Sequence, residues 1–113
     1  MPRPVRLFLN DMLTAMEKVQ SYTKDMTYDE FVATPVVFDA VIRNLEIIGE
    51  AARNVVTQGE DTADIPWKNI VGLRNILIHE YFGIDPDIIW QIVTRNIPGT
   101  IDLVRETIAK LPK

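Results

Sequence analysis

The stretch from Pro35 to Thr57 constrains this chain most. Its apolar residues Val37, Phe38, Val41, Leu45, Ile48, Ala52, Val55 and Val56 fall on one stripe, while Arg43, Glu46, Glu50 and Arg53 fall on the opposite one. Steps of three and four stack side chains on one face of an α-helix, whereas a half-buried strand needs steps of two. A helix patterned this way is stable only with its apolar stripe buried, so the chain needs partner helices. The N-terminal segment supplies one: Val5, Phe8/Leu9, Met12, Ala15/Met16, Val19 and Tyr22 predict a helix over 4–23. Thr27-Tyr28-Asp29-Glu30 has capping-box form and predicts a short helix. Thr34-Pro35 reads as a second cap with proline at the first helical position, opening the long helix over 35–57.

Gln58 to Ile65, with Gly59, Glu60, Asp61 and Asp64, predicts an acidic surface loop. Pro66 restarts a helix through Trp67, Ile70, Leu73, Leu77 and Ile78, with Gly72 as a candidate kink and an end near Tyr81-Phe82-Gly83. Asp85-Pro86-Asp87 is another cap. The helix after it keeps its spacing through Ile89, Val93, Ile97, Ile101, Val104, Ile108 and Leu111, and should kink or split at Pro98-Gly99. No run alternates strictly and no internal repeat is visible. The predicted fold is all-α: an up-down bundle of four to five helices with a kinked C-terminal helix. A chain of 113 residues builds one core, so residues 1–113 are expected to form one domain. The Met12/Met16 pair, Trp67 and Trp90 are read as core.

Composition narrows the chemistry. Twelve Lys+Arg against sixteen Asp+Glu give a net charge of −4, so no overall basic field gathers polyanions and any nucleic-acid contact needs a local patch. The absence of cysteine excludes a disulfide framework, a thiolate zinc site and a cysteine nucleophile; a single histidine excludes a His-rich metal site within one chain. Neither a metal nor a cofactor is expected. No segment approaches the ~18 apolar residues of a membrane span, and the N-terminus lacks a secretory apolar core, so a soluble cytoplasmic protein is expected.

Ionisable and hydrogen-bonding groups concentrate in the fourth helix: Arg74, Asn75, His79, Glu80 and Tyr81 lie within eight residues. Asn75 and His79 are neighbours one turn apart, and Arg74 and Tyr81 return to nearly the same line. Such a polar strip must face something polar, because burying arginine or histidine without partners costs several kcal/mol. The spacing leaves two readings open. In one, His79 is a structural histidine at a helix C-terminus, Arg74 is half of an ion pair with Glu46 or Glu50, and Tyr81 sits at the core edge. In the other, the same residues are reachable by a ligand. On the long helix, Arg43–Glu46 and Glu50–Arg53 have the three-residue spacing of ion-pair ladders, and Glu46 or Glu50 is a candidate to hold Arg74.

The run Arg74-Asn75-Ile76-Leu77-Ile78-His79-Glu80-Tyr81 is an arginine, four residues, a histidine, one residue and a tyrosine. It resembles the signature of the HEPN superfamily, specifically the HepT-like ribonuclease toxins. Arg43 to Ala51, Ile65-Pro66-Trp67, Tyr81 to Asp85 and the Trp90 helix resemble those proteins too, so the likeness covers roughly residues 5–111. The resemblance implies a metal-independent endoribonuclease, a homodimer whose two motif helices line one cleft, and a toxin paired with an MntA-like nucleotidyltransferase antitoxin. It implies RNA as substrate and Arg74 and His79 as catalytic residues; Asn75 is counted with them as an orienting group that holds His79 or a phosphate oxygen, and Arg43, Glu46 and Glu50 of the charged stripe are read as supporting residues. It further implies that Tyr81 is the site of inhibitory AMP addition by the antitoxin. The competing expectation is a non-catalytic HEPN module that binds a nucleotide or the nucleotidyltransferase.

Overall fold

Hydrogen bonds at helix ends divide the chain as its cap residues predict. The computed structural model describes residues 3–61, 64–79 and 83–112, with side chains described for all of these but Ile78 and His79. The helices are α1 (Val5–Thr23), α2 (Tyr28–Ala33), α3 (Pro35–Thr57), α4 (Trp67–His79), α5 (Pro86–Gln91) and α6 (Ile97–Ala109), the last two joined by a π-helical turn over Ile92–Asn96. All regular structure among the described residues is therefore helical, and no described helix is long and apolar enough to cross a membrane.

Thr27 caps α2 reciprocally. Its hydroxyl accepts from the Glu30 N–H at 3.2 Å, and the Glu30 carboxylate accepts from the Thr27 N–H at 2.9 Å. Those bonds favour the charged form and hold the Glu30 carboxyl below its ordinary pKa. Thr34 behaves differently from expectation. It stands at the start of α3 but makes no side-chain cap bond there; its hydroxyl donates back to the Glu30 carbonyl at 2.7 Å and closes α2 instead. The start of α3 rests on Pro35, whose missing N–H costs nothing in the first turn. Two residues past the end of α3, Gly59 turns left-handed with φ +72°, which lets the next N–H, of Glu60, reach back to the Val55 carbonyl at 3.1 Å, while the Gly59 N–H donates to the Val56 carbonyl at 2.9 Å.

α3 is the central helix, packed against α1 on one side and α4 on another, while α6 closes over α1. The middle of each predicted stripe is buried: Val41, Leu45, Ile48, Ala52 and Val55 of α3 against Leu9, Met12, Ala15, Met16 and Val19 of α1. The stripe ends are not, for Tyr22 and Val56 are 40% and 36% exposed, past the reach of the neighbouring helix. Asn44 lies off the predicted stripe yet is buried, its amide donating to the Ala40 carbonyl at 2.8 Å. Ile65, at the end of the predicted surface loop, is buried as well. Trp67 is core, and half-buried Trp90 stacks at 5.0 Å on the fully buried ring of Phe31.

α4 runs through Gly72 as one helix. Of its predicted end, Tyr81 and Phe82 lie outside the described residues. Asp85 caps α5, accepting from the Asp87 N–H at 2.9 Å with Pro86 at the first position. The expected break at Pro98-Gly99 sits one turn earlier. Pro98 has no N–H and its ring crowds the carbonyl four residues back, so the chain widens into the π turn before it, where the Ile97 N–H reaches the Ile92 carbonyl. Tyr28 pins α2 to α5: its hydroxyl donates to Asp87 and its ring meets Trp90 edge-on at 6.2 Å.

One close approach sets the position of α4. A Cβ on Gly49 would meet the Ile70 carbonyl oxygen at 3.4 Å and the Arg74 nitrogen at 3.6 Å, whereas one on Gly72 would meet nothing within 4 Å. Gly49→Val is expected to destabilise the protein by about 1–3 kcal/mol by forcing α3 and α4 apart. Gly72→Ala should stabilise it by about 0.5–1 kcal/mol through helix propensity alone. Urea unfolding of both variants checks the contrast, and equal effects would contradict the packing described. A second expectation concerns Tyr28, whose phenol the bond to Asp87 pushes up to about 12. Stability from this bond is fully present below the ordinary tyrosine pKa and is lost as pH rises from there through the folded value of about 12. Ultraviolet titration should show one tyrosine ionising late, and Asp87→Asn should return it to the ordinary range.

Candidate active-site cleft

The Gly49 contact brings the first half of α4 against the polar edge of α3, and the residue after Gly49 faces Arg74. Glu50 Oε2 lies 3.7 Å from Arg74 Nη1, while its Oε1 lies 3.7 Å from Arg53 Nη1. One turn earlier, Arg43 Nη1 lies 3.5 Å from Glu46 Oε2. Both ladder pairs expected along α3 therefore form, and of the two candidate partners for Arg74 the structure selects Glu50. The reason is axial level: Glu50 stands beside the glycine where the two backbones come closest.

The Arg74 and Glu50 side chains are 44% and 52% exposed. Ion pairs this open to water contribute at most about 1 kcal/mol each, so their effect is to orient the guanidinium rather than to hold the fold. Arg74 thus presents a fixed charge, with donors in a planar fork, to an open cleft of about 410 Å³. Arg43, Glu46 and Glu50 of α3 line the same cleft, together with Phe8 and Asp11 of α1 and Ile47, Ala51 and Asn54 of α3. At the N-terminal side, Arg3 pairs with Asp11 at 2.6 Å and covers the Phe8 ring at 4.8 Å from its centroid.

Four of the predicted site residues, Arg43, Glu46, Glu50 and Arg74, are therefore brought together. Asn75 is exposed beside Arg74 on α4 but does not line the cleft. His79 ends α4, placing its backbone somewhat over one turn beyond Arg74 on the same helix; its side chain lies outside the described residues. Tyr81 lies outside them altogether. Asn54, one turn after Glu50 on α3, could have been found by extending the charged stripe, whereas Phe8 and Asp11 escape sequence reasoning, because their place in the cleft depends on how α1 crosses α3. No signal in the spacing of either helix carries that information. Among the described residues no group of three His, Cys, Asp or Glu side chains is arranged to hold a metal ion.

Comparison with known proteins gives this arrangement a lineage. The chain is 48% identical over 97 residues to the protein named "Putative RNase MJ1380" of Methanocaldococcus jannaschii, covering 85% of this chain and 89% of that one. It is 39% identical over 110 residues to "Putative RNase TTE0752" of Caldanaerobacter subterraneus subsp. tengcongensis, covering 96% of each. It is 35% identical over 100 residues to "Probable ribonuclease HepT" of Thermococcus cleftensis, covering 88% of this chain and 91% of that one. No solved structure matches the chain. The profile described as "Ribonuclease HepT-like" matches residues 12–107, a span that contains the cleft residues of α3 and the whole Arg74–Tyr81 run, and the chain belongs to this family of endoribonucleases.

Proposed function

We propose that this HepT-like protein is the toxin of a toxin–antitoxin pair and cleaves RNA without a metal, by attack of a 2′-OH on the neighbouring phosphate. The observation that carries the reading is the presentation of Arg74, half-exposed and steered by Glu50 at the edge of a cleft, on the helix that ends in His79. Arg74 binds the scissile phosphate through two of its N–H groups and stabilises the extra negative charge of the phosphorane. His79 moves the protons, since an imidazole titrates near pH 6.5 and both accepts and donates at neutral pH. The 2′-OH loses its proton as its oxygen bonds to phosphorus; the bond to the 5′-oxygen breaks and that oxygen takes a proton.

One histidine cannot be base and acid at once within one site, so a homodimer that joins two α4 helices supplies both. An apolar groove of about 440 Å³, lined by Leu73 and Ile76 of α4 with Ile88 and Ile92 across from them, leaves α4 with uncovered surface and favours such a partner. Asn75, exposed between Arg74 and the His79 turn, orients the imidazole or a phosphate oxygen. Glu50 supports Arg74 directly from α3, and Arg43 and Glu46, paired with each other, line the same cleft. Residues 1–113 act as one HEPN-like domain in the cytoplasm. Tyr81 is the switch: AMP groups added to it by an MntA-like nucleotidyltransferase antitoxin place phosphates near Arg74, neutralise it and block RNA.

Induction in a host should stop growth for the wild type and not for Arg74→Ala or His79→Ala. With purified proteins Arg74→Ala should lower kcat by about 10²–10³-fold. Equal toxicity of wild type and His79→Ala would overturn the catalytic assignment in favour of a non-catalytic binding module. Glu50→Gln should lower kcat/KM for RNA while changing the urea unfolding free energy by less than about 1 kcal/mol; a larger loss of stability would mean that the pair holds the fold. Incubation with antitoxin and ATP should add AMP units to the intact mass of the wild type and none to Tyr81→Phe, and additions that persist would place the site elsewhere.

A further inference from the structure

The cleft beside Arg74 has a composition that a phosphate site alone does not explain. Its lining includes the buried or half-buried apolar residues Phe8, Ile47 and Ala51, beside three carboxylates, Asp11, Glu46 and Glu50, and the arginines Arg43 and Arg74. Each carboxylate already has an arginine partner, so among the described residues the cleft beyond Arg74 holds no spare cation for a second phosphate, whereas apolar lining in a cleft within the ~300–1,000 Å³ range of small-ligand sites suits a flat uncharged ring. A nucleotide whose phosphate lies on Arg74 has such a ring attached. We infer that this cleft is a nucleobase subsite flanking the scissile phosphate, and that Glu46 makes it select a base bearing an exocyclic amine over uracil. The inference rests on the ribonuclease reading above.

Glu46 is singled out by what its neighbours already do. Asp11 is engaged by both terminal nitrogens of Arg3, at 2.6 and 3.5 Å. Glu50 is shared between Arg53 and Arg74. Asn54 turns its amide nitrogen back to the Glu50 carbonyl on its own helix, at 2.9 Å. Glu46 has one partner, Arg43 at 3.5 Å through Oε2, so Oε1 has none among the described residues. An ionised carboxylate only accepts hydrogen bonds. Cytosine, adenine and guanine each offer an amine; uracil, like thymine, presents a carbonyl oxygen where cytosine carries its amine. RNA sequence is commonly read in this way, from an unstacked base seated on apolar or aromatic surface with its edge hydrogen-bonded.

The test uses single-cleavage oligoribonucleotides that vary the base on either side of the cut, with the full-length protein. Wild type should prefer an amine-bearing base over uracil at one of the two positions by about tenfold or more in kcat/KM, the scale of one charge-assisted hydrogen bond. Glu46→Gln carries an amide that can donate to a carbonyl, and should shift the preference towards uracil by raising kcat/KM for that substrate. Glu17→Gln removes a carboxylate that pairs instead with Arg105 and should keep the wild-type preference. A purely structural role for Glu46 would lower all substrates together. Flat preference at both positions, or a preference that Glu46→Gln leaves in place, overturns the subsite while leaving the ribonuclease reading intact. No cleavage of any substrate by wild type overturns both.

Discussion

The site depends on how closely α4 lies against α3. Glycine at position 49 removes the side chain that would stand between the helices, and the Ile70 carbonyl and Arg74 nitrogen come within van der Waals reach of where a Cβ would be. That contact fixes the level of α4 along α3 and so decides which carboxylate meets Arg74. A helix that stood farther off would leave the guanidinium free to sample its rotamers, and ordering it would then cost binding energy. The apolar stripe of α3 holds the same geometry from the other side, because its burial against α1 leaves the charged stripe facing outward and towards α4.

The charged stripe is largely self-compensating. Arg43 with Glu46, Arg53 and Arg74 with Glu50, and Arg3 with Asp11 pair the cleft's cations with its carboxylates, in keeping with a chain whose net charge is −4. A ribonuclease of net charge −4 has no overall basic field with which to gather RNA. In the proposed reading recognition is concentrated at Arg74, where a phosphate would compete with a carboxylate open to water rather than with a buried one. The exchange costs little, since half-exposed pairs are worth little.

Much of this was legible in the sequence, and the exceptions have physical causes. The period of Val41, Leu45, Ile48, Ala52 and Val55 announces α3 and its buried face, and Thr27 with Glu30 announces the cap of α2. The pattern misleads at its ends, where Tyr22 and Val56 keep the rhythm but have no neighbouring helix to cover them. Thr34 reads as the cap of α3 and serves α2, because a threonine hydroxyl can also donate to the carbonyl four residues back. Pro98 signals a break whose position one turn upstream follows from the carbonyl it displaces. Within the site, spacing on α3 and the charge on Arg74 narrow the partner to two glutamates, and only the packing chooses Glu50. Asp11 and Phe8 enter the cleft from another helix, so nothing along the chain marks them. The roles proposed for His79 and Tyr81 come from the resemblance to HepT-like proteins; the family match over residues 12–107 shows the family and assigns no role to either residue.

The proposed roles of Arg74 as the phosphate-binding group and His79 as the proton carrier make one demand on the products. The most direct measurement is end-group analysis of RNA incubated with wild type and His79→Ala in excess EDTA. The account predicts 2′,3′-cyclic phosphate and 5′-hydroxyl ends from wild type alone. Cleavage that EDTA abolishes, ends bearing 3′-hydroxyl and 5′-phosphate groups, or equal cleavage by His79→Ala would contradict it.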